Sequence, residues 1–329
     1  MDAKYIIKLG EMVLDGYSLT SAEALSLVAI ALEDIPLLGA YAHKIRAKFA
    51  GPGVEMCGVI NARSGLCTED CKFCAQSVYH QTNCTIFPLI SPTRALEQIT
   101  RLSKDGVRRA SLVTSGKGME TDPDFDRIVS LIQCISQQSD TGICANLGTI
   151  SHSQALRLAA AGIKRYAHNL ETSERFYPYV CTTHTYRERF DTLLAAKNAG
   201  LALCSGGIIG LGETWEDRIN LALTLRELDV ASVPINILNP IPGTAFAAQT
   251  PLAPLEIIKT FAIFRFILPA KVIRPAGGRE IHLRDMQGTV MLTGANGLIA
   301  GNYLTFGGRD TAKDFTMVYD AGLRPDLEN

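Results

Sequence analysis

The chain has 329 residues, enough for one large α/β barrel or two ordinary domains and far more than a scaffold stapled by disulfides. Hydrophobic residues make up 47% and charged residues 20%, which excludes a disordered chain. With 32 basic and 33 acidic residues the net charge is −1, so no large field favours nucleic acid or an anionic membrane.

The first string, MDAKYIIKLGEMVLDG, carries Asp2 and Glu11 and lacks the apolar core of a secretory leader. No run approaches the ~18 apolar residues of a membrane-crossing helix. A cytoplasmic protein with no membrane association is expected. Residues 1–50 read as an N-terminal helical extension, with Thr20 opening one helix and Glu23 at its third position. From about residue 54, β-branched runs alternate with longer amphipathic ones, separated by Gly, Asn, Asp and Pro. Strands are expected over 54–60, 108–114, 141–147, 163–168, 201–209, 231–238, 270–275 and 296–302. Eight such runs are what a closed (βα)8 TIM-type barrel requires, and the barrel is assigned to 51–309. Ser91 before Pro92, Ser151 with Gln154, and Thr214 three residues before Asp217 each open a helix after a strand and loop. Residues 310–329 read as a loose C-terminal tail with alternating charges and no second core.

Nine cysteines stand at 57, 67, 71, 74, 84, 134, 144, 181 and 204. An odd number spread this thinly argues against a disulfide framework and for a soft-metal site in a reducing compartment. The most informative segment is SGLCTEDCKFCAQS (64–77), which sets Cys67, Cys71 and Cys74 in a C-x-x-x-C-x-x-C pattern just after the first expected strand. Thiolates suit iron-sulfur clusters and zinc, and a short loop can turn three of them toward one centre. A closed structural zinc site would want a fourth Cys or His at short spacing, and the nearest candidate is His80. Spacing alone leaves an open cluster, a zinc site and ordinary thiols all standing.

With Phe73 just before the third cysteine, the motif resembles the signature of radical S-adenosylmethionine enzymes. The wider string is similar to biotin synthases, through YAHNLETS (166–173), TYRERFDTL (185–193), CSGGIIGLGET (204–214), VPINIL (233–238), IRPAGGRE (273–280) and TGANGLIAGNYLT (293–305). The resemblance implies a four-iron, four-sulfur cluster on Cys67, Cys71 and Cys74, whose fourth iron is chelated by the amino and carboxylate groups of S-adenosylmethionine. One electron from a reduced flavodoxin or ferredoxin would then cleave the sulfonium, and the resulting 5′-deoxyadenosyl radical would abstract hydrogen from an unactivated C–H bond. It also implies an auxiliary iron-sulfur cluster deep in the barrel that supplies the sulfur inserted into dethiobiotin, with three Cys and one Arg as usual ligands. Cys144, Cys204 and Arg274 match three of those positions, but Ser111 stands where the family has its remaining Cys. Cys57, in the first strand, compensates if it points inward. Three thiolates favour a four-iron cluster with an extra exchangeable sulfide; a two-iron cluster would need Arg274 or Ser111 as its fourth ligand.

By the same resemblance Asn169 and Asn236 contact substrate, Glu171 (in place of the usual Asp) the nucleoside ribose, and Arg189 the methionyl carboxylate. Ser115 and Gly116 meet the methionyl amine, and Phe73 belongs to the cofactor site. Iron-sulfur assembly machinery and a homodimeric partner are further family expectations. Cys84, Cys134 and Cys181 read as packing residues and Arg279 as structural. Biotin synthesis is the leading expectation. A related carbon-skeleton mutase or hydrogenase-cofactor maturase, which has less need of a sulfur-donating cluster, is the enzymatic alternative. A non-catalytic iron-sulfur carrier, with an exposed cluster and no substrate loops, is the other.

Overall fold

Every strand ladder in the computed structural model, which describes residues 3–119 and 121–326, is parallel. Strands β1 (Gly53–Arg63), β2 (Arg109–Thr114), β3 (Gly142–Asn146), β4 (Arg165–Ala167) and β5 (Ala202–Cys204) pair in succession. The run expected over 201–209 is divided, because the chain breaks at Ser205-Gly206 before resuming as β6 (Gly207–Ile209). Both β5 and β6 pair with β7 (Ser232–Ile237), which pairs with β8 (Val272–Pro275), while β9 (Gly297–Ile299) returns to β1. All eight expected runs therefore contain strand, and they curl into an α/β barrel.

The last seam, between β8 and β9, is closed by one residue. Asn296 donates its N–H to the Ile273 carbonyl, and its Oδ1 accepts the Ile273 N–H at 2.9 Å. That side chain is held by Arg265, which is fully buried and, among the described residues, has no carboxylate partner. Its guanidinium donates to Asn296 Oδ1 (2.6 Å) and to the carbonyls of Gly294, Leu268, Pro269 and Lys271. Arg265→Ala strands those acceptors in the interior, so a loss of ~3–5 kcal/mol is expected in urea unfolding. A loss below 1 kcal/mol would show that the seam closes without it.

Helices α1 (Ala3–Leu14), α2 (Ser21–Ser26) and α3 (Ile35–Ala50) precede the barrel. Ile6, Leu9 and Val13 give α1 one apolar stripe at three- and four-residue spacing. Thr20 and Glu23 form the expected capping box, with Glu23 N–H donating to Thr20 Oγ1 and Thr20 N–H to Glu23 Oε2. The barrel's helices are α4 (Pro92–Lys104), α5 (Phe125–Gln138), α6 (His152–Ala160), α7 (Tyr186–Asn198), α8 (Trp215–Glu227) and α9 (Pro254–Ile267). The start signals at Ser91, Ser151 and Thr214 each cap the helix that follows. Helix α9 is buried on all faces from Ile257 to Ile267, because α3 packs over its outer side. Among the described residues no single helix is long and apolar enough to cross a membrane.

After β8 come α10 (Arg279–Leu283) and α11 (Gln287–Leu292), then β9. The tail is not loose. It forms α12 (Thr311–Asp320) and β10 (Arg324–Asp326), which pairs with β1 at Gly53–Glu55. Its charge pattern is misleading because Asp314 is fully buried as the counter-ion of buried Arg279 at 2.6 Å, and Met317, Val318 and Leu323 join the main core. Arg279 is thus structural, as expected, tying α12 to the barrel.

Candidate functional site

Successive side chains of a strand point to opposite faces, and this alternation builds the site. Along β1, Val54, Met56, Ile60 and Ala62 are buried among core residues, whereas Cys57 and Val59 line a cavity inside the barrel. The same cavity takes Ser111 and Val113 from β2, Cys144 and Asn146 from β3, Arg165 and Ala167 from β4, Cys204 from β5, and Arg274 from β8. Its volume is about 330 Å³, and it reaches from those cysteines to Phe73, Cys74, Asn169, Glu171 and Asn236. Cys57, Cys144, Cys204 and Arg274, far apart in sequence, thus share one space.

Beside these thiols lies an unbalanced charge group. The Glu55 carboxylate pairs with Arg165 (2.7 Å), with Arg109 (3.4 Å) and with Arg274. Arg274 also donates Nε and Nη2 to Ser232 Oγ at 3.1 and 2.9 Å. Burial alone would push the Glu55 carboxyl up, but Arg274 and Arg165 bring it down to about 2. Three guanidinium groups face one carboxylate, so two positive charges remain in excess beside the cysteines. Burial raises the Cys57 thiol to about 12 despite Arg274, and raises Cys144 despite Arg109 and Arg165. Ser111 Oγ is buried without a hydrogen-bond partner among the described residues. Three thiols, an excess of cationic charge and an orphaned hydroxyl fit an anionic metal-sulfide group.

Glu55→Ala leaves three clustered cations without their carboxylate, and a loss of ~3–5 kcal/mol at neutral pH is expected by urea unfolding. Because the folded value lies below the ordinary 4.5, this stabilisation is complete above pH 4.5 and is lost as pH falls toward 2. The gap between wild type and variant should therefore close in acid. A gap that stays constant from pH 7 to pH 3 would count against this pairing.

At the C-terminal ends of the strands, the 64–77 loop folds on itself. Cys67 N–H donates to the Gln76 carbonyl (2.9 Å), Val78 N–H to the Cys67 carbonyl (2.8 Å), and Cys74 N–H to the Cys71 carbonyl (2.9 Å). Backbone N–H groups of Glu69 and Gly116 point at the Cys67 sulfur, and that of Gln76 at the Cys74 sulfur. Such donors suit a sulfur that carries negative charge. Burial raises Cys67, and raises Cys74 to about 11; the hydrogen bond to Cys181, then burial, raises Cys71. Each thiol therefore exchanges its proton for metal on loading. His80 Nδ1–H donates to the Cys74 carbonyl (2.9 Å).

Ser115 donates its hydroxyl to the Gly65 carbonyl at 2.7 Å, and its own carbonyl accepts from Arg63, fixing the turn that presents Gly116. Arg189 reaches inward from α7 and donates to Tyr177 Oη (2.6 Å), the Asn169 carbonyl (2.8 Å) and His184 Nε2 (3.1 Å). Burial opposes its charge, but Tyr177 and Glu171 more than offset this. Glu171 sits 3.6 Å from Arg189, with its carboxyl raised by burial. Its φ of 69° is in the left-handed region, where a non-glycine side chain costs of order 1 kcal/mol. The Gly206-Gly207 pair explains this tight passage: a Cβ on Gly207 would lie 2.2 Å from the Glu171 carbonyl oxygen, and one on Gly206 1.9 Å from that of Pro234. Asn169 Oδ1 accepts the Gly206 N–H at 3.2 Å, and Asn236 bridges Gly207 and Gly277. Both amides line the cavity while pinning its loops.

Sequence reasoning missed one neighbour. Cys181, read as packing, is hydrogen-bonded to Cys71 and lies 3.2 Å from His184 Nδ1. The two cysteines come from loops more than a hundred residues apart, and no short-range spacing marks their meeting. Cys134 takes a hydrogen bond from Gln138 on α5, and Cys84 lies 3.8 Å from Ser64 Oγ.

Residues 63–225 match the radical SAM superfamily, and residues 234–324 the biotin and thiamin synthesis associated domain. The chain is 47% identical to a biotin synthase of Carboxydothermus hydrogenoformans, over 97% of this chain and 98% of that one. It is equally identical to a biotin synthase of Clostridium acetobutylicum, over 97% of each. Among solved structures, methylornithine synthase superposes with a TM-score of 0.85 at 20% identity, covering 96% of this chain and 97% of that one. HydG, a maturase of the FeFe-hydrogenase, superposes with a TM-score of 0.87 at 16% identity, covering 100% of this chain and 77% of that one. At such identities these two share the fold.

Proposed function

The chain belongs to the biotin synthase family of radical S-adenosylmethionine enzymes, and from that premise we propose that it converts dethiobiotin to biotin by inserting sulfur at unactivated carbons. One observation carries this reading: a single barrel cavity is lined both by Cys74 of the loop triplet and by Cys57, Cys144 and Cys204. A substrate between them touches both.

Cys67, Cys71 and Cys74 would hold a four-iron, four-sulfur cluster, with backbone N–H groups of Glu69, Gly116 and Gln76 stabilising the sulfurs. That cluster with S-adenosylmethionine supplies a carbon-centred radical that removes hydrogen from unactivated C–H bonds. Cys57, Cys144 and Cys204 would hold the auxiliary cluster, which supplies the sulfur. Arg109, Arg165 and Arg274 offset its thiolate charge, and the pairing of Arg274 with Glu55 and Ser232 restrains the guanidinium that the family uses as a ligand. With Ser111 in place of a thiol, a four-iron cluster bearing an extra sulfide suits the three-thiolate set. Arg189 is placed to pair with the methionyl carboxylate and Glu171 with the ribose, while Ser115 and Phe73 frame the cofactor; Asn169 and Asn236 would orient the substrate. Val59, Val113, Ile208, Leu238 and Ile299 wall the cavity with apolar surface that excludes water from a reactive radical.

A reduced flavodoxin or ferredoxin as electron donor, iron-sulfur assembly machinery, a homodimeric state and a cytoplasmic location complete the proposal. The test is anaerobic reconstitution with iron, sulfide, reductant, S-adenosylmethionine and dethiobiotin, followed by mass spectrometry. 5′-Deoxyadenosine and biotin are expected together. 5′-Deoxyadenosine without biotin would overturn the substrate assignment and leave the superfamily chemistry standing.

A further inference from the structure

Two acidic residues inside the cysteine motif, Glu69 and Asp70, lie outside the lining of the barrel cavity and serve a different loop. Asp70 Oδ1 accepts the N–H groups of Thr182 (2.8 Å) and Thr183 (3.1 Å). Glu69 Oε2 accepts from Thr183 Oγ1 (2.8 Å) and from His184 Nδ1 (2.6 Å). The two carboxylates clamp the 181–184 loop against Cys71, so that the ligand atoms of Cys71, Cys181 and His184 all lie within 4.8 Å of one another, all three residues being buried.

The imidazole is oriented as well as placed. Arg189 donates to His184 Nε2, so Nε2 carries the lone pair and Nδ1–H points at Glu69. A carboxylate holding one ring nitrogen while the other faces a metal is the usual arrangement of a ligating histidine. The Cys181 sulfur lies 3.2 Å from Nδ1 and 3.9 Å from Nε2, so the ring must turn to present Nε2 to a cation shared with both sulfurs. We propose that Cys71, Cys181 and His184 form a second, mononuclear site that takes one divalent cation of the Fe²⁺ or Zn²⁺ class when the loop cluster is absent. Binding releases the two thiol protons and keeps the imidazole neutral, so the cation and two thiolates sum to zero charge in a buried pocket. Arg189 gives up its bond to His184 Nε2.

The consequence rests on the reading of Cys71 as a ligand of the loop cluster. The Cys71 sulfur cannot serve both centres, so a cation here holds the chain out of cluster assembly until it is displaced. The test is titration of Co²⁺ into reduced, cluster-free, full-length protein, read by thiolate-to-cobalt charge-transfer absorbance. In a Cys67→Ser/Cys74→Ser background, which removes the competing loop thiols, adding Cys181→Ser should cost one Co²⁺ equivalent and adding His184→Gln should weaken it ~10-fold or more, while the single Cys181→Ser and His184→Gln variants serve for cluster assembly. Preloading with one equivalent of Zn²⁺ should slow loop-cluster assembly more in wild type than in Cys181→Ser. Both single variants keep Cys67, Cys71 and Cys74 and should still assemble the loop cluster, which separates loss of this site from misfolding. Equal Co²⁺ stoichiometry and intensity in the background and both of its derivatives would overturn the proposal. So would loss of cluster assembly in both single variants, which would make Cys181 and His184 part of the cluster site itself. Failure of wild type to assemble the loop cluster would count against the functional reading alone, since the Co²⁺ comparison needs no cluster.

Discussion

Cys71→Ala is expected to abolish reductive cleavage of S-adenosylmethionine while costing the fold only ~1 kcal/mol. The loss is complete because, on the proposed assignment, the loop cluster would keep only Cys67 and Cys74. The fold survives because the loop is held by backbone bonds between Cys67, Gln76 and Val78 and by Glu69 and Asp70, none of which uses the Cys71 sulfur, and because the barrel ladders run elsewhere. 5′-Deoxyadenosine production measures the first effect and urea unfolding the second. Residual cleavage at more than a trace would remove Cys71 from the cluster. Purified wild type with stoichiometric zinc and no acid-labile sulfide would turn the loop into a metal knuckle.

Cys57→Ala and Cys144→Ala should do the opposite, lowering biotin formation ~100-fold or more while 5′-deoxyadenosine is still formed. Both side chains line the inner part of the cavity, away from the loop triplet, and both are buried. Iron and sulfide counting with Mössbauer spectroscopy should show the loss of one cluster and retention of the other. Cys57 is the sharper case, because the proposal gives it the place of the thiol that Ser111 lacks. A Cys57→Ala protein with its full iron complement and the wild-type rate of biotin formation would reduce Cys57 to a packing residue.

The parallel strands were legible because β-branched runs set off by Gly, Asn, Asp and Pro, and helix-capping pairs such as Thr20–Glu23 and Ser151–Gln154, are local signals. The cysteine triplet stood out for the same reason, since its thiols lie within eight residues of one another. What was hidden is what the fold brings together from a distance. Asp314 looked like one charge in a solvated tail, and only the position of Arg279 makes it a buried anchor. Cys181 looked like an isolated turn residue, and the bonds of Glu69 and Asp70 to its loop, with that of Lys72 N–H to the Val180 carbonyl, bring it to Cys71. Glu55 gave no motif at all. It became visible when β1 paired with β2 and β9 and brought Arg109, Arg165 and Arg274 around it. Position 111 was flagged by family likeness, but the orphaned hydroxyl there is a fact of packing.

The central claim is that sulfur held inside the barrel by Cys57, Cys144 and Cys204 ends up in the product. It is tested most directly by assembling the clusters with heavy-isotope sulfide, removing all free sulfide, and reading the isotopic mass of biotin from a single turnover. The account predicts that heavy sulfur appears in biotin from wild type and that the labelled product disappears in Cys144→Ala. Biotin that carries only natural-abundance sulfur from the protein so prepared would contradict it.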